Sequence, residues 1–379
     1  MYWIYGCRPA AHAWEDHYAM ELVDAGFTRG CGSGVVFYHE GRDLSCLVHG
    51  DDFIFVGDDG DLDWIQKLIK KWFEVKVRGR LGEDANDQKE MEILGRTITW
   101  TSKGLRMQAD KKHRKRVLDY FGFNGGSRSL TANGEKEKAD DDTEGEVELE
   151  RGEAKEFRGM AALLNYYAQD CPDVQFPAKE ISRDMARPRV KSWAKVKRMA
   201  RYLLSRLAVV WEFDWQSEGA LLRVLTDSDW GGSREDRKST SGGALLWGGH
   251  CWRTWSTTQG AVALSSAEAE FYAMVDGVQK AKWAETVARE MGIIISESAS
   301  IVLGTDSKAA QSFVARRGLG RMRHIEVRDL WLQEQVRSGK VKVEKVLGTE
   351  NAADLMTKFL SKNECIERLR GLAIEWCAA

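Results

Sequence analysis

The sequence predicts a mixed α/β and α+β protein with more than one domain, and three observations support this. The C-terminal half has three strand-like runs at hairpin spacing, followed by alternating strands and helices, which is typical of a mixed sheet with helices packed on it. The N-terminal half has short β-rich runs and one clear helix, and a polar stretch separates the halves. The 379 residues are enough for two or three domains with separate cores.

The composition is that of a globular protein without a global charge signal. Hydrophobic residues make up 43% and charged residues 30%, and the formal net charge is -2, so any basic surface must be local. The seven cysteines form no CxxC pair and are odd in number, which indicates reduced thiols rather than a disulfide framework or zinc ligands. No long apolar run and no signal-peptide pattern appear. We therefore expect an intracellular protein, in the cytoplasm or the nucleus, that does not span a membrane.

Residues 1–124 are predicted to form an incomplete α+β region. VVFYH and LSCLVHG are short β-rich runs. DFIFVG alternates apolar residues after Asp51 and Asp52, which predicts a hairpin with this Asp pair at its turn. A helix is predicted over 62–73. The later runs VKVRGRL, LGRTITW and GLRMQ predict further strands.

Two segments without strand signals follow. Residues 125–150 hold nine acidic residues and almost no large apolar ones, which predicts a flexible linker, with an acidic interaction tail as the alternative. Residues 151–215 are predicted to be a basic helical connection, because ten Lys or Arg lie between 179 and 206. These charges indicate either a surface that grips a nucleic-acid backbone or a solvated helix face. The candidate phosphate contacts in this segment are Lys195, Lys197 and Arg198.

Residues 216–379 give a clear order of elements. ALLRVLTD, GGALLWG and CWRTWST are predicted strands, and a long amphipathic helix is predicted over 266–291. The strand SIVLGTD follows, then a helix from Ser307, a basic loop, a helix over 325–337, the strand KVKVEKV and a C-terminal helix.

Four acidic residues fall on four different elements of this predicted domain. Asp227 and Asp306 each follow a Thr at the end of a strand, so their carboxylates converge if the two strands are neighbours. Glu270 lies in the first turns of the long helix, and Asp354 follows the last strand. Clustered carboxylates repel one another unless cations bind them, and hard oxygen ligands select magnesium, with manganese as the alternative. Two such ions can activate a water molecule and stabilise the leaving oxygen of a phosphodiester.

The motifs of this region resemble one family in detail. TDSDWGGSREDRKSTSGGALLWGG, WSTTQGAVALSSAEAE, TDSKAA, RHIEVRDLWL and GTENAADLMTK occur in the order found in the RNase H domain of copia-type retrotransposon Pol polyproteins. The resemblance implies an RNase H-like mixed β-sheet with flanking helices and two-metal cleavage of the RNA in an RNA–DNA hybrid. It places Asp227, Glu270, Asp306 and Asp354 at the metal-binding acids, with Glu268 as the rival of Glu270.

A basic loop precedes His324 in the same region. It carries Arg316, Arg317, Arg321 and Arg323, which are predicted to grip phosphates. His324 is a candidate for shuttling a proton or helping the product to leave, with a structural role at the start of a helix as the alternative.

Two N-terminal runs, YGCRPAAHAWEDHYAMELVDAGF and CLVHGDDFIFVG, resemble the reverse-transcriptase palm of the same elements. Asp51 and Asp52 match the paired Asp that binds the polymerase metals, and are predicted to be a former polymerase metal site. The family usually has Tyr-Val before this pair, where the chain has His49-Gly50, and a third palm carboxylate is not found in the sequence. Segment 1–124 is therefore predicted to be a partial palm and thumb region. The run from AKEFRG to RMARYL resembles the family's connecting region.

The leading hypothesis is a magnesium-dependent RNA–DNA hybrid ribonuclease in residues 216–379, attached to a truncated reverse transcriptase. One alternative is an inactive retroelement relic or nucleic-acid-binding module. Another is an RNA-directed DNA polymerase whose missing palm is supplied in trans.

Overall fold

The computed structural model describes residues 8–135, 145–216, 221–293, 301–320 and 324–379. The chain forms two compact units. The first comprises Met1–Gly79 and Lys282–Ser298, and the second comprises Arg80–Ala281 and Ala299–Ala379. Within the described ranges, no helix is both long enough and apolar enough to cross a membrane.

Among its described residues, the first unit contains one antiparallel sheet, two helices and the C-terminal part, Lys282–Glu290, of a third helix. The four strands pair in the order β1–β2–β3–β4, with the bounds β1 (Thr28–Arg29), β2 (Val36–His39), β3 (Leu44–His49) and β4 (Asp52–Val56). The helices are α1 (Arg8–Asp24) and α2 (Asp59–Trp72). The helix predicted over 62–73 is thus confirmed as α2, which begins three residues earlier. Asp59 and Asp61 occupy its first turn, where negative charge is favoured by the helix dipole.

Among its described residues, the second unit contains two five-stranded sheets. The first lies in the predicted RNase H segment, and its strands are β9 (Leu222–Asp229), β10 (Thr240–Trp247), β11 (His250–Thr258), β12 (Ile301–Thr305) and β13 (Val341–Lys345). They pair in the order β11–β10–β9–β12–β13. The first three form an antiparallel meander, and β12 runs parallel to both β9 and β13. This is the mixed, RNase H-like sheet that the resemblance implied.

Four helices follow the strands of this sheet in the chain: α7 (Ser266–Glu290), α8 (Lys308–Ala315), α9 (Trp331–Arg337) and α10 (Lys362–Arg370). The helix predicted over 325–337 is shorter than expected, because a 3-10 turn, Val327–Leu330, precedes α9. A further 3-10 helix, Ala352–Met356, follows β13 and carries Asp354.

The second sheet of this unit has the order β14–β8–β7–β6–β5. Its strands are β5 (Glu90–Ile93), β6 (Arg96–Thr101), β7 (Gly104–Ala109), β8 (Arg206–Asp214) and β14 (Ile374–Ala378). Three of them were not predicted: β5 lies just before the predicted strand LGRTITW, β8 lies in the segment predicted to be helical, and β14 follows the last predicted helix. The strand predicted over VKVRGRL, residues 75–81, is wrong, because this run makes only one isolated bridge, from Leu81 to Gln88. The sheet joins strands from the predicted palm, connection and RNase H segments, and the sequence-derived boundaries between those segments stay predictions.

Helices pack around a buried ion pair near this sheet. They are α3 (Lys111–Tyr120), α4 (Arg151–Ala168), α5 (Pro172–Arg183) and α6 (Val190–Ser205), and the last three form the predicted helical connection. Arg206 and Asp173 are both fully buried, and Arg206 Nε lies 2.9 Å from Asp173 Oδ2. Tyr202 donates a hydrogen bond to the same oxygen at 2.7 Å. These charges tie the start of β8 to α5.

The predicted acidic linker is described only at its two ends, because residues 136–144 lie outside the described residues. Before them, the Leu130 backbone N donates to Arg201 O at 3.0 Å. After them, the Leu149 backbone N donates to Pro188 O at 2.9 Å. The ends of this segment are therefore hydrogen-bonded parts of the second unit, whereas the sequence predicted a flexible linker over the whole range.

Candidate metal centre

Two strand ends bring the first two carboxylates together. β9 and β12 are parallel neighbours, with Leu303 opposite Val224 and Gly304 opposite Leu225. The carboxyl ends of parallel neighbours lie at the same edge of a sheet, so Asp227 near the end of β9 and Asp306 just beyond β12 come close. The sequence predicted that the two carboxylates converge if these strands are neighbours, and the strands are neighbours.

Helix α7 brings Glu270 to the same place. One carboxylate oxygen each from Asp227, Glu270 and Asp306 lies within 4.8 Å of the other two. The close approach of the helix requires glycine, because a Cβ on Gly277 would lie 2.6 Å from the Thr226 side chain of β9. Three carboxylates from three separate elements therefore share one point.

Glu270 is held by one oxygen and presents the other without a protein partner. Its Oε1 accepts hydrogen bonds from Ser228 N at 3.2 Å and from Ser228 Oγ at 3.0 Å. Its Oε2 is buried and has no hydrogen-bond partner. A buried oxygen of this kind is costly unless something binds it. Hard oxygen donors with an unpartnered carboxylate oxygen among them fit a divalent cation such as magnesium or manganese.

The fourth predicted acid, Asp354, is not a member of this group of three. It is buried and accepts from Lys358 Nζ at 2.5 Å and from Arg368 Nη2 at 3.1 Å. Lys358 also lies 3.3 Å from Asp227 Oδ2, so the ammonium stands between the two carboxylates. Sequence reasoning missed Lys358, although its spacing of four residues from Asp354 is the helical ion-pair spacing. The metal-ligand role of Asp354 stays a prediction.

Asp227 and Glu270 have raised pKa values. Burial is the largest cause for Asp227, whose pKa is raised to about 6; Lys358 opposes this shift, and Asp354 and Asp306 contribute to it. The pKa of Glu270 is raised to about 8, by burial first and also by the charges of Asp227 and Asp306, against the hydrogen bonds from Ser228. Crowded buried carboxylates thus favour a bound proton or a bound cation.

We expect the affinity for divalent metal to rise between pH 6 and pH 8, where Asp227 and Glu270 ionise. Raised pKa values mean that these groups cost the metal-free fold nothing below their unfolded pKa values. They destabilise it progressively as the pH rises from their unfolded pKa values to about 6 for Asp227 and about 8 for Glu270, and the full cost is present above those values. Metal binds the ionised forms, so affinity should increase by up to about tenfold per pH unit for each proton displaced. Calorimetric titration with Mn²⁺ at several pH values measures this, and a flat profile would contradict it.

Glu268, the rival of Glu270, makes other contacts. Its Oε2 lies 2.8 Å from His324 Nε2 and accepts from Leu264 N at 3.0 Å. Its Oε1 accepts from the Tyr272 hydroxyl at 3.0 Å. The Glu268 side chain is 2% exposed and that of His324 is 43% exposed. Glu268 therefore holds the His324 imidazole near the start of α7, and the structure leaves Glu270 as the helix residue of the carboxylate group.

Comparison with known proteins finds similar sequences in two plant transposons. The chain is 27% identical over 374 residues to the retrovirus-related Pol polyprotein from transposon TNT 1-94 of Nicotiana tabacum. It is 27% identical over 368 residues to the corresponding polyprotein from transposon RE2 of Arabidopsis thaliana. Each match covers 95% of this chain. Over nearly its whole length, the chain is similar to copia-type retrotransposon Pol polyproteins. It spans 27% and 24% of the length of these two relatives.

No family model matches this chain. Among solved structures, it is similar to the N-terminal RNase H domain of Rv2228c from Mycobacterium tuberculosis, solved as a fusion with maltose-binding protein. The identity is 16%, the match covers 40% of this chain and 97% of the other, and the TM-score is 0.24.

The basic residues predicted to contact phosphates are only partly described. Arg321 and Arg323 lie outside the described residues, and Arg317 is exposed. The Arg316 guanidinium lies 4.6 Å from the centre of the Phe313 ring. In the helical connection, Lys195 pairs with Asp184 at 3.0 Å, Arg198 pairs with Glu135, and Lys197 is exposed. Phosphate contacts by these seven basic residues stay predictions.

Asp51 and Asp52 lie in the first unit, at the predicted hairpin. β3 and β4 pair with His49 opposite Asp52, so Gly50 and Asp51 form the turn and Asp52 begins β4. Gly50 has a φ of 64°, the left-handed conformation that such a turn favours. Asp52 accepts from Arg78 at 3.3 Å. In the part of the chain that the structure describes, neither belongs to a group of three metal-ligating side chains.

Proposed function

We propose that this chain is a ribonuclease that cleaves the RNA strand of RNA–DNA hybrids with divalent metal ions. The observation that carries the proposal is the convergence of Asp227, Glu270 and Asp306 within 4.8 Å, with Glu270 Oε2 buried and unpartnered. Magnesium or manganese is the cofactor class that fits such oxygen donors. The sequence similarity to transposon Pol polyproteins is consistent with this substrate class.

The residues in and around the carboxylate group would have different roles in such a reaction. Asp227, Glu270 and Asp306 would hold the metal, which supplies an activated water and stabilises the leaving oxygen of the phosphodiester. Ser228 fixes the orientation of Glu270 through its backbone N and its hydroxyl. The Thr357 hydroxyl donates to Asp227 Oδ2 and orients it. Lys358 limits the repulsion between Asp227 and Asp354.

His324 is suited to proton transfer at the edge of the centre. Its Nε2 contacts Glu268, which fixes the ring, and the imidazole is partly exposed to solvent. A histidine oriented by a carboxylate can carry a proton between the leaving group and bulk water. Arg316, Arg317, Arg321 and Arg323 precede it in the chain and would contact phosphates of the hybrid.

A cleavage assay with the full chain tests the proposal. We expect a labelled RNA–DNA hybrid to be cut in its RNA strand in Mg²⁺ or Mn²⁺, and EDTA to stop the reaction. DNA duplex and single-stranded RNA of the same sequence are the controls and should stay intact. No primer extension is expected, because a third carboxylate beside Asp51 and Asp52 is not found in the sequence. An intact hybrid in both metals would contradict the proposal.

The second candidate is a nucleic-acid-binding module without catalysis. The ion pairs of Asp354 with Lys358 and Arg368 favour it, because the carboxylate of this fourth predicted metal ligand is already bound by two cationic side chains. This candidate predicts that the chain binds the hybrid with a strong salt dependence and leaves it uncut in either metal.

A further inference from the structure

An exposed apolar surface lies beside the carboxylate group. It consists of Trp230, Val262 and Leu264, which are 55%, 45% and 66% exposed, and we call it the Trp230 surface. Trp230 lies three residues after Asp227, so their Cα atoms are at most about 11 Å apart. Leu264 lies six residues before Glu270, in the loop that leads into α7. The surface therefore lies on the turn after β9 and the loop before α7, next in the chain to two of the elements that supply the carboxylates.

The Trp230 ring is fixed in place although it faces solvent. Its Nε1 donates a hydrogen bond to Ala263 O at 2.9 Å. Ala263 is buried and lies between Val262 and Leu264 in the chain. This bond ties the turn after β9 to the loop before α7. A ring held in this way can bind a partner without a large further loss of side-chain entropy.

A cation stands next to the Trp230 surface. Arg237 is exposed, and its Nη2 lies 3.2 Å from the position that a Cβ on Gly231 would take, directly after Trp230. An aromatic ring beside a guanidinium is the combination that binds nucleic-acid strands, because the ring packs on a base or sugar and the cation pairs with a phosphate. The positive charge of Arg237 favours a nucleic-acid strand over an apolar protein partner.

We propose that the Trp230 surface binds the sugar or base of a nucleotide next to the phosphate held at the carboxylates, with Arg237 on a neighbouring phosphate. This inference rests on the proposed ribonuclease function and adds a positioning residue to it. A phosphate at the carboxylates leaves the sugar and base of an adjacent nucleotide within reach of Trp230. An apolar ring has no favourable contact to make with the phosphate itself, so its contact is with that sugar or base.

The test measures binding of a labelled RNA–DNA hybrid by fluorescence anisotropy in an Asp306→Asn chain, where binding is separated from cleavage. Trp230→Ala is expected to weaken binding by roughly 5- to 50-fold, as for loss of one aromatic stacking contact. Trp230→Phe keeps a ring and should retain most of the affinity. The matched control is Trp215→Ala, because Trp215 is 58% exposed and packs on Trp100 elsewhere in the second unit. Circular dichroism checks that each variant is folded.

Three results overturn the inference: unchanged binding by Trp230→Ala, an equal loss in Trp215→Ala, or a Trp230→Phe variant as weak as Trp230→Ala. The unmodified chain separates this inference from the proposed function. If it binds the hybrid more tightly than the Trp230→Ala variant does and never cuts it, the proposed ribonuclease function is wrong and the inference about Trp230 holds. If it cuts the hybrid and Trp230→Ala changes neither KM nor kcat, the inference fails alone.

Discussion

Replacement of Glu270 by Gln is expected to abolish hybrid cleavage and, at the same time, to stabilise the metal-free protein. Under the proposed function the carboxylate would supply a metal ligand, and loss of several kcal/mol of metal-assisted stabilisation would lower the rate by about a thousandfold or more. The same carboxylate is buried beside Asp227 and Asp306, with its pKa raised to about 8. A neutral amide of the same shape removes that penalty, which we put at roughly 1–3 kcal/mol near pH 7.5.

Thermal unfolding of the variant in EDTA and in Mn²⁺ measures both effects. The melting temperature without metal should rise, and the increase caused by metal should largely disappear. Glu268→Gln is the matched control, since Glu268 is also buried on α7 and contacts His324 instead. It should keep the metal-induced increase. A Glu268→Gln variant that loses this increase, with a Glu270→Gln variant that keeps it, would make Glu268 the ligand.

Replacement of Arg206 by Met is expected to destabilise the second unit by about 3–5 kcal/mol, which is typical for breaking one half of a buried ion pair. The substitution leaves Asp173 charged, fully buried and without its counter-ion. Asp173 Oδ1 already lacks a hydrogen-bond partner, so Tyr202 alone would remain to compensate the charge. Urea unfolding followed by circular dichroism gives the free energy of unfolding.

Two variants test whether this loss comes from the uncompensated charge. Lys115→Met breaks an exposed ion pair with Asp119 on α3, and such pairs contribute below about 1 kcal/mol. Arg206→Met combined with Asp173→Leu removes both charges, so it should recover part of the stability lost in the single variant. A loss for Arg206→Met no larger than that for Lys115→Met would show that the buried pair contributes little.

The local sequence pattern was sufficient to predict the strands and the helix that position the carboxylates. The Thr-Asp dipeptides at the ends of β9 and β12 and the amphipathic run of α7 all lie within single elements, where side-chain periodicity is visible in the sequence. Strands β8 and β14 were missed because their pairing partners are distant in the chain. A short apolar run does not indicate by its own pattern whether it continues a helix or pairs with a remote strand.

The choice between Glu268 and Glu270 could not be made from the local sequence pattern. Residues two apart on a helix point about 200° apart, so the sequence established that only one of them could face the sheet. Which one does so depends on the rotation of α7, which is set by its packing on β9 at Gly277. The position of Lys358 between Asp227 and Asp354 depends likewise on how the last 3-10 helix packs against the sheet. The sequence thus located the acids, and long-range packing selected which three of them converge, because that requires contacts between segments far apart in the chain.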